Sequence, residues 1–276
     1  MLDQKMSATP YVLGHADLEI ERLQFQAGII ADVSRRLIRE CGVGRGMRVL
    51  DIGCGVGDMS MLLAEAVGDT GSVVAFDREA TAIEVARTRA LAAGHRQIEF
   101  VIASDEGFPD RPAFDAVIGR YVLHHQSDPV AMIRRAAAVV RRGGIVAFHE
   151  PAGHIGGHTL PVVDLYVKLE RSLSFDFCTL PHRDVGGRLI TCFEQAGLPT
   201  PRLTWESIAG GHESPLWRLM AMTYQSMLPQ IAANQGLASA DVGDPDTLVD
   251  RLVAEAMAVR AQIVSKPQSC AWVRRP

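Results

Sequence analysis

Cysteine is scarce and unpaired in this chain: five residues, at positions 41, 54, 178, 192 and 270, with no C-x-x-C spacing. An odd count without close pairs argues against a disulfide framework and against a zinc site. A reducing compartment, the cytoplasm, is the expectation. Basic excess is missing too. The 28 Lys and Arg stand against 32 Asp and Glu, a formal net charge of −4, so no basic field awaits nucleic acid. The doublets Arg134-Arg135 and Arg141-Arg142 read as solvated helix faces. No apolar run approaches the roughly 20 residues that span a bilayer. Met1-Leu2-Asp3-Gln4-Lys5 lacks a basic stretch followed by an apolar one, so neither a signal peptide nor a membrane partner is expected. Repeats and low-complexity tracts are absent.

What is present is a chain of 276 residues, 47% hydrophobic, enough to bury a sizeable core. Its most informative stretch is Val49-Leu50-Asp51-Ile52-Gly53-Cys54-Gly55-Val56-Gly57-Asp58. An apolar run ends in an acid and then a loop with glycine at every second position. That is a strand feeding a tight turn that opens a helix. Glycine permits positive φ and a close ligand approach, and the helix start offers free N–H groups and a positive dipole end. A second apolar run, Ser72-Val73-Val74-Ala75-Phe76-Asp77, also ends in an acid. An acid at that place can accept both hydroxyls of a ribose. It can equally cap the next helix.

The rest of the chain alternates. Apolar spacing over 17–40 is helical, ending at Gly42 and Gly44. Strands are expected at about 47–52, 72–77, 98–102, 114–119 and 145–149. Helices at about 58–67, 79–93 and 129–140 separate them, the last stopped by Arg141-Arg142-Gly143-Gly144. This is the pattern of a parallel sheet wound on both faces. Pro151 to His158 reads as a glycine-rich loop. Helical stretches follow at about 159–173, 184–196, 214–233 and 246–263, with strands near 202–208 and 268–274.

Asp51, Gly53, Gly55 and Gly57, with Asp77 following, resemble the class I S-adenosylmethionine-dependent methyltransferases. The resemblance covers most of the chain and is most specific from about Arg48 to Glu150. It implies an α/β fold, a Rossmann-like doubly wound seven-stranded sheet of order 3-2-1-4-5-7-6 with its last strand antiparallel. Additions before the first strand, after the fifth and between the last two imply a helical cap. Residues 1–44 would form an N-terminal helical lid, 45–150 the S-adenosylmethionine-binding core, and 151–276 the rest of the core with cap insertions.

The resemblance also implies site residues. The glycine loop would lie against the methionine part and ribose of S-adenosylmethionine, with Asp51 holding the loop or the amino group and Asp77 the ribose. Arg78 would lie beside the adenine or stand exposed at a helix start. Many relatives place an Asp on the adenine where this chain has Ser104, with Asp105 one position later; both stay open. In Gly119-Arg120-Tyr121-Val122-Leu123-His124-His125, Arg120 would line the cofactor pocket by its backbone. Tyr11 and Gln26 match a lid that closes over the cofactor in some small-molecule methyltransferases; packing of Tyr11 on the cap is the other reading.

Catalytic candidates follow from chemistry. Histidine titrates near neutrality, so His124 or His125 is a candidate general base; capping and a polar pocket are the bland alternatives. Glu150, beside His149 at the end of the fifth strand, would bind or deprotonate the acceptor, or be a buried acid met by backbone N–H groups. His154 and His158 lie in a loop without fixed geometry, and no metal is expected. Trp217, Met220, Met222, Tyr224 and Met227 share helical spacing, as core or as an apolar wall for a ligand. The expected partner is a small-molecule acceptor of a methyl group at O, C or N; a homodimer through the cap stays open. Two rivals remain. A non-catalytic S-adenosylmethionine-binding protein would keep the loop but block the acceptor crevice. An NAD(P)-dependent oxidoreductase would want G-x-G-x-x-G, but the third glycine here is Gly57 and position 58 is Asp.

Overall fold

The computed structural model describes residues 17–103, 114–177, 182–233 and 242–276. Two helices lead in, α1 (Asp17–Ile29) and α2 (Ala31–Cys41). The expected single helix thus breaks at Ile30, whose φ/ψ of −94°/6° leaves the helical region. β1 (Arg48–Ile52), α3 (Asp58–Val67), β2 (Ser72–Asp77), α4 (Ala80–Ala92), β3 (Ile98–Ile102), β4 (Phe114–Arg120), α5 (Pro129–Val139) and β5 (Val140–Pro151) then alternate. Asp128 caps α5 by accepting from Ala131 N at 2.8 Å, and Pro129 takes the first helical position, where its missing N–H costs nothing. β5 starts earlier than expected. A bulge lets Phe114 pair with Val140 and Ala116 with Ile145, so Arg141–Gly144 belong to the strand instead of closing α5.

The second half comprises β6 (His158–Leu160), α6 (Asp164–Phe177), α7 (Leu189–Gln195), β7 (Arg202–Glu206), β8 (Ala209–Gly210), α8 (Pro215–Ala233), α9 (Leu248–Val259), β9 (Gln262–Val264) and β10 (Gln268–Arg274). The large sheet runs β3-β2-β1-β4-β5-β10-β7. Its first five strands are parallel and β10 is antiparallel to both neighbours. This is the expected topology, because β7 and β10 are the sixth and seventh strands of that sheet.

A second sheet, β6-β9-β8, was not expected. β6 takes 159–160 from the helix expected at 159–173, and β9 takes 262–263 from the one expected at 246–263. α9 stops because Arg260 adopts φ 54° in the left-handed region. Strands of two or three residues carry too little alternation to be read, and their pairings join distant segments.

Three apolar cores result. Leu37, Leu63, Ile83 and Phe100 pack on one face of the large sheet. Met132, Ile133, Phe148 and Phe193 pack on the other. A separate core under α6, α8 and α9 holds Leu169, Trp217, Tyr224, Met227 and Leu252. That cap core settles most of the aromatic and methionine group on α8: Trp217, Met222, Tyr224 and Met227 are buried in the fold. α1 lies against α8, and the Arg218 guanidinium sits 4.9 Å over the Phe25 ring.

Candidate active site

The end of β1 carries Asp51, buried to 1% exposure. Its Oδ2 accepts from the Ser60 hydroxyl at 2.5 Å, while Oδ1 has no hydrogen bond. Burial pushes its carboxyl up to about 7, against the pull of Ser60 and of the Arg120 charge. The loop beyond it runs through φ 63° at Gly53, 52° at Gly55 and 87° at Gly57. A Cβ at Gly57 would stand 3.0 Å from Ala86 Cβ, so packing and φ both demand glycine there. At Gly55 a Cβ would meet nothing within 4 Å, which leaves an open face beside the loop.

Asp77, at the end of β2, ties this loop down. Its Oδ2 accepts from Gly55 N at 2.9 Å and its Oδ1 from Glu79 N at 3.0 Å. The residue capping α4 is Glu79, which makes no side-chain cap bond. Arg89 of α4 reaches Asp58 Oδ1 at 2.6 Å and so fixes the start of α3. Arg78 pairs with Glu79 at 3.5 Å. Gln26 faces the cavity described below, its Oε1 accepting from Arg22 at 2.5 Å. Tyr11, Ser104 and Asp105 lie outside the described residues.

β4 ends at Arg120, and the chain turns sharply. Tyr121 adopts φ 59°, its N–H donating to His149 O at 2.8 Å. A 3-10 turn, Leu123–His125, follows. Glu150 holds this turn in place. Its Oε1 accepts from Val122 N at 2.8 Å and Leu123 N at 2.7 Å, and Oε2 from His124 Nδ1 at 2.6 Å. The carboxylate is fully buried. Glu150 is thus a buried acid met by two backbone N–H groups and by a histidine. His124 Nε2 has no hydrogen bond among the described residues. Its ring lies 4.0 Å from that of His125, centroid to centroid. Burial, and then the charges of His124 and Arg78, lower His125 well below the ordinary histidine range.

Sequence reasoning did not assign the chain of side chains behind the turn. Arg120 donates to Ser34 Oγ at 3.3 Å, Ser34 Oγ meets His149 Nδ1 at 3.2 Å, and His149 Nε2 meets Gln268 Oε1 at 3.0 Å. The Tyr121 hydroxyl donates to the same Gln268 oxygen at 2.5 Å. Burial and Arg120 push His149 down to about 3. Tyr121 had a signal, since it stands inside the Arg120–His125 motif. Ser34 and Gln268 had none, because only tertiary pairing brings α2 and β10 to this point.

A cavity of about 210 Å³ opens over the turn. Tyr121, His124, His125 and Gln268 form its core side; α1 contributes Leu23, Gln26 and Ile29; the cap adds Glu170, Leu216 and Met220. Among the described residues no group of three His, Cys, Asp or Glu is placed to hold a metal, and no helix is long and apolar enough to cross a membrane.

A methyltransferase-domain family model matches residues 44–171, from the turn before β1 into α6. Over that stretch, a little under half of the chain, the match supports a class I S-adenosylmethionine-dependent methyltransferase domain. Among curated proteins, the chain is 38% identical over 126 residues to the aklanonic acid methyltransferase DauC of a Streptomyces strain, covering 45% of this chain and 57% of that one. The demethylmenaquinone methyltransferase of Staphylococcus aureus is 30% identical over 128 residues, 46% of this chain and 51% of its own. The chain thus spans about half the length of the relatives it matches. In solved structures the fold recurs in the YcgJ protein of Bacillus subtilis, with a TM-score of 0.54 at 18% identity, covering 89% of this chain and 99% of that one. It also recurs in a Bacillus halodurans protein with a provisional methyltransferase assignment, with a TM-score of 0.57 at 19% identity over 88% and 98%.

S-adenosylmethionine is the cofactor of this methyltransferase family, and two features of the β1 end fit it. Asp51 Oδ1 is a buried carboxylate oxygen lacking a donor, which an ammonium group can supply. The open face at Gly55 lies where a cofactor would approach the backbone.

Proposed function

We propose that this protein moves a methyl group from S-adenosylmethionine to an O, C or N atom of a small molecule by in-line displacement. The observation that carries the reading is the Glu150–His124 pair, 2.6 Å apart, with the His124 ring lining the cavity. The relatives act on aklanonic acid and demethylmenaquinone, and a cavity that sets aliphatic side chains beside a few polar ones suits a small, largely apolar acceptor of the quinone kind. An open cavity beside a positioned base also supports a catalyst over a non-catalytic binding protein.

Asp51, the Gly53–Gly57 loop and Asp77 would hold the cofactor, with Arg78 and Arg120 at its edges. When bound, S-adenosylmethionine supplies a methyl group on an electron-poor sulfur. Glu150 accepts a hydrogen bond from the Nδ1–H of His124 and so leaves Nε2 as the basic nitrogen. A proton on the acceptor atom passes to that Nε2. His125, held neutral by burial, forms an uncharged wall beside it. The rest of the rate comes from orientation, which can supply roughly 7–11 kcal/mol. Gln26 and its neighbours on α1 close the cavity toward water.

Replacing His124, His125 and Glu150 singly tests this, with radiolabelled methyl transfer measured across a panel of quinone acceptors. His124→Ala should bind S-adenosylmethionine as the wild type does and lose about 10²–10⁴-fold in turnover. Glu150→Gln should lose less, and His125→Ala little. Wild-type turnover in His124→Ala would remove the base and leave positioning alone.

A further inference from the structure

The cap contributes one buried acid that the proposed chemistry does not use. Glu170 lies on α6, is 8% exposed and lines the cavity. Its Oε1 accepts from the Tyr166 hydroxyl at 3.0 Å. Its Oε2 makes no hydrogen bond. Lys266 Nζ stands 3.7 Å from that oxygen, which gives charge balance beyond hydrogen-bond length. Gly157 passes close behind: a Cβ there would collide with the Tyr166 hydroxyl and stand 3.2 Å from Glu170 Oε1. The loop is thereby kept bare beside the carboxylate.

An acceptor taken out of water and left unmet costs on the order of 1–3 kcal/mol, more when charged. Leu173, Leu216, Leu219 and Ile263 line the same cavity, and no side chain of the described residues donates to Oε2. A donor on a molecule filling the cavity would satisfy that oxygen.

We infer that Glu170 is a specificity-determining residue that accepts a hydrogen bond from a neutral hydroxyl of the acceptor molecule, a phenol or enol O–H separate from the atom served by His124. The inference rests on the methyltransferase reading above and narrows its substrate class. Lys266 favours a neutral donor over a cationic amine, because an ammonium at Oε2 would meet a second positive charge at close range. The hydroxyl points to the cap, and the atom to be methylated faces the His124 turn. Pockets built around a substrate hydroxyl reject the analogue lacking it far more strongly than apolar pockets reject a missing methylene.

The test is calorimetric titration with 2-naphthol and with naphthalene, each with and without saturating S-adenosylhomocysteine. In the wild type 2-naphthol should bind at least about tenfold more tightly, the return for one charge-assisted hydrogen bond. Glu170→Leu should bring the two within about threefold of each other with naphthalene affinity unchanged. Glu170→Gln, which keeps an oxygen acceptor, should fall between. A wild-type protein that does not prefer 2-naphthol, whether both probes bind or neither does, overturns the inference. So does a preference that survives intact in Glu170→Leu or, if circular dichroism shows that variant unfolded, in Glu170→Gln. Failure of S-adenosylhomocysteine to bind would sink the methyltransferase reading instead; the ratios measured without it still decide Glu170.

Discussion

Two buried titratable residues near the cofactor side pull stability in opposite directions with pH. Asp51 is raised from 3.8 to about 7, so between those values the folded protein keeps a proton that the unfolded chain has released. Stability of the ligand-free protein therefore falls as pH rises through that window. His149 is lowered from 6.5 to about 3, so the unfolded chain takes up a proton that the folded protein refuses. That contribution is lost as pH falls below 6.5. In Asp51→Asn only the His149 slope remains, and Tm should climb more steeply between about pH 4 and 6.5 than in the wild type. Parallel Tm profiles would contradict a proton held on Asp51. Of these residues Asp51 was legible, because an acid closing an apolar run before a glycine loop has a mechanism attached. The environment of His149 was not. It depends on Ser34 and Gln268, each more than a hundred positions away in the chain.

Among the elements, the glycine loop and α1 make the sharpest claims. Gly55→Ala should cost about 1 kcal/mol, the penalty for an L residue in the left-handed region. Gly57→Ala should cost more, because the added carbon also presses on Ala86 and comes within 3.4 Å of the Phe100 ring. Thermal unfolding of the pair checks this, and equal losses would mean that the Gly57 packing yields. On α1, Glu19 receives both Nε and NH2 of Arg22 at 2.7 Å, and the Ser226 hydroxyl of α8 at 2.6 Å. Glu19→Ala strips these carboxylate contacts from a buried guanidinium, a change worth roughly 3–5 kcal/mol. Hydrogen exchange should then quicken across α1 while the β1–β5 strands keep their protection; uniform quickening would show that α1 is no separate lid. The long periodic elements of the sheet were readable from apolar runs and glycine stops. β6, β8 and β9 were not, and neither was the break at Ile30, which no Gly or Pro marks at that position.

Across the whole molecule, two of the three cores belong to the large sheet and the third to the cap. The cavity lies where the cap and α1 meet the Tyr121–His125 turn. Sheet order was inferable because it follows from the family resemblance carried by Asp51, Gly53, Gly55, Gly57 and Asp77. The cavity's chemistry was inferable only on its core side, where His124 and His125 close one motif and Glu150 ends the fifth strand. Its cap side, with Glu170 and Lys266, is assembled from segments that carry no motif. The measurement that bears most directly on the central claim is calorimetric titration of the purified protein with S-adenosylmethionine and, separately, with NADH. Micromolar binding of S-adenosylmethionine and no heat with NADH is the predicted result. NADH binding, or silence with S-adenosylmethionine, would contradict the assignment of the Asp51–Gly57 loop and Asp77 to the methyl donor.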